Sequence, residues 1–595
     1  MNYALIHRQG SPTVDRLSGT VEEVFRLADI ALTGTEVLAM VPFRQVQERG
    51  FPARDDQLPI LCLQVDRLET EPVADLITRL PAQAPPLEDL GFTQSDDDYA
   101  AVVRTVIEEE IGSGEGANFV IRRDYRARLE ADREQAALAW FRRLLERESG
   151  AYWTFAFITD QMIAVGASPE RHVSTTGGVV RMNPISGTLR NGQPDVDTLL
   201  SFLADRKESE ELVMVVDEEL KMMSAACPDG GVMRGPFLKP MSQLIHTEYL
   251  LEGHSRLDPR EVLRLTMFAP TVTGSPMGNA CAVIARHEPT PRGYYSGVLA
   301  RFTPTERGYE VDAPILIRTA FLDADGQVSV SAGATLVRHS DPRAEAAETR
   351  AKAGGMLTAL GLAQAPTPAV EQPTGSRPPV ADPRVEAALA DRNRHLAPFW
   401  RDEQVSGAEL RAQVLVVDCE DDFTAMLAHQ LRRLGLDVQV VPWHQVQDVE
   451  QPDLVVFGPG PGDPLSQTNP RIVRLRELIA QRLGRPLLAV CLSHQVLSDQ
   501  LGLELRKLPA PRQGTPRLVR IAGQEARIGY YNTFTAVAAD GSQVRGLTVD
   551  SEPDTGFLHA LTGPGLASVQ GHLESVLSFD GYDTLRRLVS DILDQ

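Results

Sequence analysis

The chain has 595 residues and a formal net charge of −22, from 81 acidic and 59 basic side chains. Its length indicates about two to four domains, and its charge argues against nucleic acid or an anionic membrane as a partner, because phosphate binding needs a basic face. Five scattered cysteines without a Cys-x-x-Cys pair, and no long apolar stretch, predict a cytoplasmic protein with no disulfide framework, structural zinc, signal peptide or membrane span.

The first 360 or so residues mix strand and helix patterns. Strands are predicted at Trp153–Ile158 and Ala313–Arg318, and a long helix is predicted at Arg206–Ala226. No sequence repeat is detectable in this part of the chain. We therefore predict one large α+β domain over residues 1–362.

A break in composition follows this domain. Residues 363–379 are rich in Pro, Gly and Ser, which is typical of a linker. Residues 383–396 have the pattern of a charged helix. We predict a linker with a charged helix over residues 363–411.

From Gln413 onward, short apolar runs alternate with amphipathic helices. Strands are predicted at residues 414–417, 438–441, 453–457 and 486–490, and a helix is predicted at residues 422–434. Strand–helix alternation at this spacing is typical of a helix-covered, mostly parallel sheet. Residues 412–595 are therefore predicted to form an α/β domain.

Cys491 ends the last of these predicted strands and precedes a helical segment. A thiol at such a corner is exposed to backbone N–H groups and to the positive end of the helix dipole, which favour the thiolate. His572 and Glu574 can supply a base and the group that orients it. A buried cysteine at a strand end is also compatible with a purely structural role.

The run Gly458-Pro-Gly-Pro-Gly-Asp463 follows another predicted strand. Its backbone can direct an N–H group at a developing oxyanion beside the N–H of Leu492, although a Gly/Pro loop can also be a simple turn. Gln495, one helical turn beyond Cys491, fits either a substrate site or a helix surface.

Loop, cysteine and His-x-Glu together resemble class I glutamine amidotransferases over residues 413–595. The resemblance implies that Cys491 attacks the glutamine amide, His572 moves the proton and Glu574 orients the imidazole, with substrate contacts from Gly458, Gly460, Leu492 and Gln495. The chain departs from the family in having Ser493 after the Cys-Leu pair and Leu573 between His and Glu. Ammonia is the expected product, and L-glutamine the expected substrate.

Two acidic pairs stand out in the first domain. Glu208 and Glu211 are three residues apart, as are Glu345 and Glu348, so each pair presents two carboxylates on one helix face. Four such carboxylates facing one another would require a hard cation such as Mg²⁺. Each pair alone is equally typical of a solvated helix face.

Several further motifs occur in the order found in chorismate-utilising enzymes, which this half resembles over nearly all of residues 100–360. They are Gly166-Ala-Ser-Pro-Glu-Arg171, Pro184-Ile-Ser-Gly-Thr188, Thr273-Gly-Ser-Pro276, Arg292-Gly-Tyr-Tyr-Ser-Gly297, Ile317-Arg318, Ala332-Gly-Ala334 and Lys352. The resemblance implies an anthranilate synthase component I-like α+β fold, with chorismate as substrate and Mg²⁺ as cofactor.

Residue roles follow from the same resemblance. The Mg²⁺ site would comprise Glu208, Glu211, Glu345 and Glu348, and the general acid for the leaving C4 hydroxyl would be Glu170. His246 would be the active-site histidine. The substrate-binding positions would be Ser186, Thr188, Thr273, Gly274, Tyr295, Arg318, Ala332, Gly333 and Lys352.

Two positions indicate the nucleophile. Related isochorismate-forming enzymes activate water with a lysine where this chain has Asn118, and aminodeoxychorismate synthases use a nucleophilic lysine where it has Ser186. With neither lysine present, ammonia is the expected nucleophile, and 2-amino-2-desoxyisochorismate the expected product.

Three interpretations remain open at this point. The residues at several motif positions, including Leu212 in place of a family histidine, resemble those of the fused 2-amino-2-desoxyisochorismate synthases of phenazine pathways. A bifunctional anthranilate synthase that also eliminates pyruvate is the alternative. An acidic, non-enzymatic scaffold would require every catalytic side chain to be present by accident. The resemblance further implies a homodimer, which can be intertwined.

Overall fold

A computed structural model describes residues 2–189, 194–242, 244–364, 382–402, 404 and 410–594. The chain forms two structural units. The first comprises Met1–Ile111, Gly116–Glu219 and Arg234–Arg392, and the second comprises Gly112–Glu115, Leu220–Met233 and Asn393–Gln595. Most of the Pro-rich part of the predicted linker, residues 365–379, lies outside the described residues.

The strands up to residue 337 belong to one large antiparallel assembly. They are β1 Asn2–Arg8, β2 Thr13–Val24, β3 Val37–Val41, β4 Ile60–Pro72, β5 Leu87–Phe92, β6 Asn118–Leu129, β7 Trp153–Ile158, β8 Met162–Ser168, β9 Arg171–Thr176, β10 Val179–Met182, β11 Ile185–Leu189, β12 Gly231–Pro240, β13 Ile245–His254, β14 Gly274–Ser275, β15 Val298–Thr305, β16 Gly308–Pro314, β17 Thr319–Asp323 and β18 Gln327–Val337.

Neighbouring strands pair in the order β5-β6-β18-β17-β8-β7-β1-β2, and the pairing continues through β4-β3-β15-β16-β9-β10-β13-β11. The position of β7 in the fold explains why all but one of its residues are apolar. Trp153, Phe155 and Phe157 pack in one core cluster, whereas Ala156 and Ile158 pack in a second on the opposite face. A strand buried on both faces loses the usual alternation of apolar and polar residues.

Helices cover this assembly. They are α1 Val73–Arg79, α2 Asp96–Thr105, α3 Arg133–Arg147, α4 Val196–Ala204, α5 Arg206–Ala226, α6 Pro259–Thr266, α7 Met277–His287, α8 Pro342–Leu360 and α9 Pro383–Asp391, with shorter 3₁₀ turns at Leu27–Asp29 and Phe43–Arg49 and a π-helical turn at Val106–Ile111. α3 and α8 contribute Trp140, Phe141, Met356 and Leu360 to the second core cluster. No helix of the described residues is long and apolar enough to cross a membrane.

The predicted helix Arg206–Ala226 is confirmed as α5, whereas the predicted strand Ala313–Arg318 is wrong beyond Pro314. β16 ends at Pro314, and the next strand begins at Thr319. Arg318 lies between them with a φ of +52°, in the left-handed region that non-glycine residues rarely adopt. The apolar residues before it are buried in a turn. The charged helix predicted at residues 383–396 ends earlier, at Asp391.

The second unit contains an eight-stranded sheet with helices and a separate hairpin. Its elements are β19 Gln413–Asp418, β20 Asp437–Pro442, β21 Leu454–Phe457, β22 Leu487–Val490, β23 Glu504–Ile521, β24 Gln524–Val537, β25 Gln543–Val544, β26 Leu547–Ser551, β27 Leu558–Gly563, β28 Leu566–Val569, α10 Phe423–Arg433, α11 Pro470–Arg482, α12 Leu492–Gln500 and α13 Gly581–Leu593, with a 3₁₀ turn at Pro398–Trp400.

The sheet order is β20-β19-β21-β22-β28-β27-β26-β25, and β23 pairs with β24 in the hairpin. The five strands from β20 to β28 pair in parallel and the last three pair antiparallel. Separate apolar clusters cover the two faces of the sheet. This confirms the mostly parallel α/β fold and places the carboxyl ends of β21 and β22 side by side.

Candidate functional site

Cys491 occupies a sharp turn between β22 and α12. Its φ is +53° and its ψ is −108°, a backbone conformation that residues other than glycine rarely adopt. Such a conformation costs on the order of 1–3 kcal/mol and persists only where surrounding contacts enforce it. Here the Cys491 N–H donates to the Val569 carbonyl at 2.9 Å, and its carbonyl accepts from the Gln495 N–H at 3.1 Å. The strain is typical of a residue held for chemistry.

His572 and Glu574 form a buried ion-pair geometry beside this thiol. Nδ1 of His572 lies 2.9 Å from Oε1 of Glu574. Burial opposes a charged imidazole, but the neighbouring Cys491 and Glu574 outweigh it and raise the pKa of His572 well above its ordinary value. Because Nδ1–H donates to Glu574, Nε2 is the atom free to exchange a proton with the thiol.

Aromatic rings enclose the imidazole. The ring centroid of Phe423 lies 4.4 Å from that of His572, and the centroid of Tyr531 lies 5.4 Å away. The ammonium of Lys221 in turn lies 3.7 Å from the centroid of Phe423. The apolar rings exclude water from the thiol–imidazole pair, which strengthens its electrostatic interaction.

The glycine loop after β21 approaches this corner closely. A Cβ atom at Gly460 would lie 2.6 Å from the Cys419 carbonyl oxygen and 2.8 Å from Cδ2 of Leu492, so only glycine fits there. Oγ of Ser493 donates to the Gly458 carbonyl at 2.5 Å. Ser493 therefore ties the first turn of α12 to the loop, in which Gly458 and Gly460 were predicted to contact substrate.

Gln495 is buried, so its alternative placement on a helix surface is wrong. Nε2 of Gln495 donates to the Phe534 carbonyl at 2.7 Å and to Oε1 of Gln570 at 3.1 Å. Nε2 of Gln570 lies 3.8 Å from Sγ of Cys491. Gln495 thus positions Gln570, which contacts the sulfur.

The two acidic pairs of the first unit converge. Glu208 and Glu211 lie on α5, and Glu345 and Glu348 lie on α8. Glu211, Glu345 and Glu348 are each at most 5% exposed, which excludes the alternative of solvated helix faces for them. All four carboxylates surround one ammonium group, that of Lys207, with distances of 3.1 to 3.9 Å.

Strand β11 anchors the pair on α5. Oγ of Ser186 donates to Oε1 of Glu211 at 2.7 Å, and the N–H of Thr188 donates to Oε2 of Glu208 at 3.0 Å. Gly187 between them has a φ of +75°, and a Cβ atom there would lie 2.7 Å from Oε2 of Glu208. Ser186 and Thr188, which the sequence predicts to bind substrate, contact these two carboxylates in the structure.

The cluster offers carboxylate oxygens, which are the donor atoms that a hard divalent cation prefers. Burial, followed by the neighbouring carboxylates, raises the pKa of both Glu208 and Glu345 to about 7. Oε2 of Glu345 is buried without a hydrogen-bond partner. Carboxylate oxygens are typical ligands of Mg²⁺ in proteins. Within the described residues, no group of three or more His, Cys, Asp or Glu side chains is arranged to hold a metal ion. The four carboxylates of this cluster surround Lys207.

A small cavity lies beside this cluster. Arg318 and Lys352 line it, together with Glu148 and Ser242. Nζ of Lys352 lies 2.7 Å from Oε1 of Glu348 and donates to the Gly333 carbonyl at 3.1 Å. The two cations make the cavity suitable for an anionic ligand.

His246, on β13, is held as a neutral imidazole. Its Nδ1–H donates to the Gly187 carbonyl at 2.7 Å, so Nε2 carries the lone pair that faces Nη2 of Arg318 at 3.4 Å. Burial, followed by the charge of Arg318, lowers the pKa of His246 to about 3. His246 is therefore a hydrogen-bond acceptor near the cavity.

Glu170 is the second residue after β8 and is buried. Burial raises its pKa to about 8, against the opposing hydrogen bonds from Oγ1 of Thr271 at 2.8 Å and from the N–H of Ile185 at 3.4 Å. A carboxyl with this pKa is protonated at neutral pH. It can donate a proton, as a general acid must.

The remaining positions predicted to bind substrate are Thr273, Gly274, Tyr295, Ala332 and Gly333, and most of their contacts in the structure are with the backbone or the core. Oγ1 of Thr273 donates to the Ala269 carbonyl at 2.8 Å, and a Cβ atom at Gly274 would lie 2.3 Å from the Asn118 carbonyl oxygen. The side chain of Ala332 packs in the second core cluster. A Cβ atom at Gly333 would lie 3.1 Å from the Tyr295 hydroxyl, so glycine leaves space beside that buried ring.

The sequence model of the chorismate binding enzymes matches residues 50–358, just over half of the chain. The chain belongs to the chorismate binding enzyme family. The sequence model of the class-I glutamine amidotransferases matches residues 415–592, so the family domain is followed by an amidotransferase domain.

Two similar proteins align with nearly the whole of this chain. The chain is 46% identical to "Anthranilate synthase, phenazine specific" of Pseudomonas chlororaphis, covering 99% of this chain and 94% of that protein. The protein of the same name from Pseudomonas fluorescens is 44% identical over the same shares. "Anthranilate synthase" of Azospirillum brasilense is 31% identical, over 76% of this chain and 59% of that protein.

A solved structure, anthranilate synthase component I from Streptococcus pneumoniae, is 18% identical and covers 59% of this chain and 93% of that chain, with a TM-score of 0.48.

Several residues of this chorismate binding enzyme were not singled out from its sequence. Lys207 directly precedes the first acidic pair and Gln570 lies two residues before His572, but neither residue type indicates its role from spacing alone. Glu148 and Ser242 are far apart in the chain, and Oγ of Ser242 donates to Oε1 of Glu148 at 2.8 Å only because the fold joins them.

Proposed function

We propose that the chain aminates chorismate at C2, with ammonia made by hydrolysing glutamine, and releases 2-amino-2-desoxyisochorismate. The family domain, the amidotransferase domain and the near full-length similarity to enzymes named phenazine-specific anthranilate synthases together support a glutamine-dependent amination of chorismate. The proposed product is supported by one observation: His246 is held as a neutral imidazole whose Nε2 atom faces Arg318.

Glutamine hydrolysis begins with the Cys491 thiolate, which attacks the side-chain amide carbon of glutamine. The oxyanion is stabilised by N–H groups of the Gly458–Gly460 loop and of Leu492, and His572 gives its Nε2 proton to the leaving ammonia. Water, deprotonated by His572, then cleaves the thioester to glutamate. Glu574 keeps the imidazole in the tautomer that these steps require.

The synthase site would hold Mg²⁺ through Glu208, Glu211, Glu345 and Glu348, and the bound ion would fix and polarise a carboxylate of chorismate. Arg318 and Lys352 line the neighbouring cavity and would bind the remaining negative charge. Glu170, protonated at neutral pH, would donate its proton to the C4 hydroxyl as this group leaves. Ammonia enters at C2, since the chain has no lysine at residue 118 or 186 to bring another nucleophile.

Pyruvate elimination, the step that would turn the product into anthranilate, requires removal of the proton at C2. His246 is a poor base for it, because its pKa is about 3 and its Nε2 lone pair faces the Arg318 guanidinium. This favours release of 2-amino-2-desoxyisochorismate. The alternative, a bifunctional anthranilate synthase, is favoured by the names of the relatives.

One incubation separates the two products. The full chain with chorismate, glutamine and Mg²⁺ is expected to consume chorismate and release glutamate in equal amounts, without pyruvate or anthranilate fluorescence. Pyruvate equal to the chorismate consumed would refute the proposed product. If neither chorismate nor glutamine is consumed, the whole assignment is refuted.

The ammonia source is tested by Cys491→Ala. This variant is expected to lose glutamine-dependent turnover and to keep turnover with ammonium salts, whereas Cys62→Ala, which removes a buried free cysteine of the other unit, keeps both. Loss of ammonium-dependent turnover in Cys491→Ala would contradict a separate ammonia source.

We extend the proposal to the organisation of the protein. The synthase domain spans residues 1–362, the linker 363–411 and the amidotransferase domain 412–595, and two chains form a homodimer in the cytoplasm. The five free cysteines support a reducing compartment. Light scattering should give twice the chain mass of 65.1 kDa, and a value of one chain mass would contradict the dimer.

A further inference from the structure

Lys207 places its ammonium at the point where four carboxylates converge. Its Nζ atom lies 3.1 Å from Oε2 of Glu211, 3.4 Å from Oε1 of Glu208, 3.5 Å from Oε1 of Glu345 and 3.9 Å from Oε2 of Glu348. Its side chain is 17% exposed. This one ammonium therefore contacts four acidic groups from two different helices, of which Glu348 also pairs with Lys352 at 2.7 Å.

The physical need for a cation at this point is strong. Carboxylates packed this closely in a buried site repel one another, and burial of unpaired charge costs several kcal/mol per ion. An ammonium has three donors, so it cannot satisfy four carboxylates equally. Oε2 of Glu345 is in fact buried without a hydrogen-bond partner.

The position of Lys207 within α5 allows it to leave. It is the second residue of the helix, and its neighbour Arg206 has a side chain that is 77% exposed. A lysine carries its charge on a flexible four-carbon stem, so the ammonium can move to solvent while the helix backbone stays in place. The carboxylates on α5 and α8 would then remain to bind another cation.

We propose that Lys207 is a positioning residue that occupies the metal position of the metal-free enzyme and is displaced when a divalent cation binds. The inference rests on the proposed metal site at Glu208, Glu211, Glu345 and Glu348. Lys207 holds the carboxylates in register before the ion arrives, and it competes with the ion for them. Metal affinity is thereby lower than four carboxylates alone would give.

The test measures metal binding directly, using Mn²⁺ as a paramagnetic probe and the full chain. Lys207→Met keeps a long apolar stem and removes the charge. We expect it to bind Mn²⁺ about tenfold more tightly than the unsubstituted protein in an electron paramagnetic resonance titration of free Mn²⁺. Its metal-free thermal midpoint should fall by about 2–4 °C, and Mg²⁺ should restore it.

Arg206→Met is the matched control. It removes one positive charge from the same helical turn. Nε of Arg206 lies 2.8 Å from Oε1 of Glu210, which is not one of the four carboxylates. We expect its Mn²⁺ affinity to stay within about twofold of the unsubstituted value. A tenfold gain in this control as well would assign the effect to general electrostatics and overturn the proposal.

Lys207→Arg keeps the test decisive if the methionine variant does not fold. A guanidinium has five donors and a permanent charge, so it should compete better and weaken Mn²⁺ binding several-fold. Equal or tighter Mn²⁺ binding by Lys207→Arg, or unchanged or weaker binding by Lys207→Met, would overturn the proposal while leaving the metal site intact. Failure of the unsubstituted chain to bind Mn²⁺ would refute the metal site itself, and the proposal with it.

Discussion

Glu170 shows how burial changes the proton affinity of a side chain. It is buried, and its pKa of about 8 keeps it protonated at neutral pH. Glu170→Gln preserves shape and hydrogen bonding but cannot donate a proton. We expect chorismate amination with ammonium salts to fall about 10²–10⁴-fold, the usual contribution of a general acid. Glutamine hydrolysis should continue, because the proposed mechanism assigns it to Cys491.

The same substitution should change how stability depends on pH. The pKa of Glu170 is about 8 in the folded protein and 4.5 by its ordinary value, so folding takes up a proton between these limits. The stabilisation is complete below pH 4.5 and is lost as pH rises through 8. Relative to Glu170→Gln, the unsubstituted chain should lose on the order of 4 kcal/mol between pH 5 and pH 9.

Denaturant titration of the first unit at the two pH values would measure this difference. A pH-independent difference between the two proteins would show that the carboxyl does not titrate as its burial indicates.

At residue scale, the sequence indicated chemistry where a motif combines several residue types. Cys491, His572 and Glu574 were recognised by order and spacing, and the structure joins His572 to Glu574 at 2.9 Å. Their roles stay predictions. Ser493 was seen only as a departure from a family glycine. Its hydrogen bond to the Gly458 carbonyl depends on a contact between segments 35 residues apart, which no local pattern encodes.

Strand β11 acts as a template for the carboxylates on α5. Gly187 combines a φ of +75° with a close approach to Glu208. Gly187→Ala should therefore displace the Glu208 carboxylate, destabilise the first unit by about 1–3 kcal/mol and weaken Mn²⁺ binding. Gly177→Ala is the matched control, since Gly177 has a φ of +59° with nothing within 4 Å of an added Cβ atom.

Both glycine variants carry backbone strain, but only Gly187→Ala crowds the cluster. Electron paramagnetic resonance and thermal unfolding of the two variants separate these effects. Equal losses of Mn²⁺ affinity in both would show that backbone strain, rather than the contact with Glu208, is responsible.

At element scale, long periodic segments were predicted well and tertiary turns were not. α5 has the predicted bounds because its apolar and charged residues repeat with helical spacing over many turns. The strand predicted through Arg318 stops at Pro314 instead. The left-handed backbone of Arg318 is imposed by its buried surroundings and not by its own residue type.

Trp400 illustrates how the second unit extends beyond the predicted amidotransferase domain. It lies in the segment predicted as linker, yet it is fully buried, and its indole N–H donates to the Glu574 carbonyl at 2.8 Å. Trp400→Leu should destabilise this unit by about 2–4 kcal/mol, because a cavity and an unpaired carbonyl remain. The half-buried Trp443 provides the control Trp443→Leu, with a smaller expected loss.

Calorimetry of the full chain measures both variants, and glutamine hydrolysis should become more heat-sensitive only in Trp400→Leu. Ammonium-dependent amination should persist at moderate temperature. An equal effect of the two substitutions would contradict the supporting role of Trp400.

The second unit is assembled from three stretches of sequence, two of which, residues 112–115 and 220–233, precede the linker by more than a hundred residues. One of them supplies Lys221, whose ammonium lies 3.7 Å from the centroid of the Phe423 ring, next to His572. A cut in the linker would leave this piece behind. We therefore expect that the two halves cannot be exchanged as modules: a first domain grafted from another protein would have to bring its own counterpart of residues 220–233 to complete the second unit.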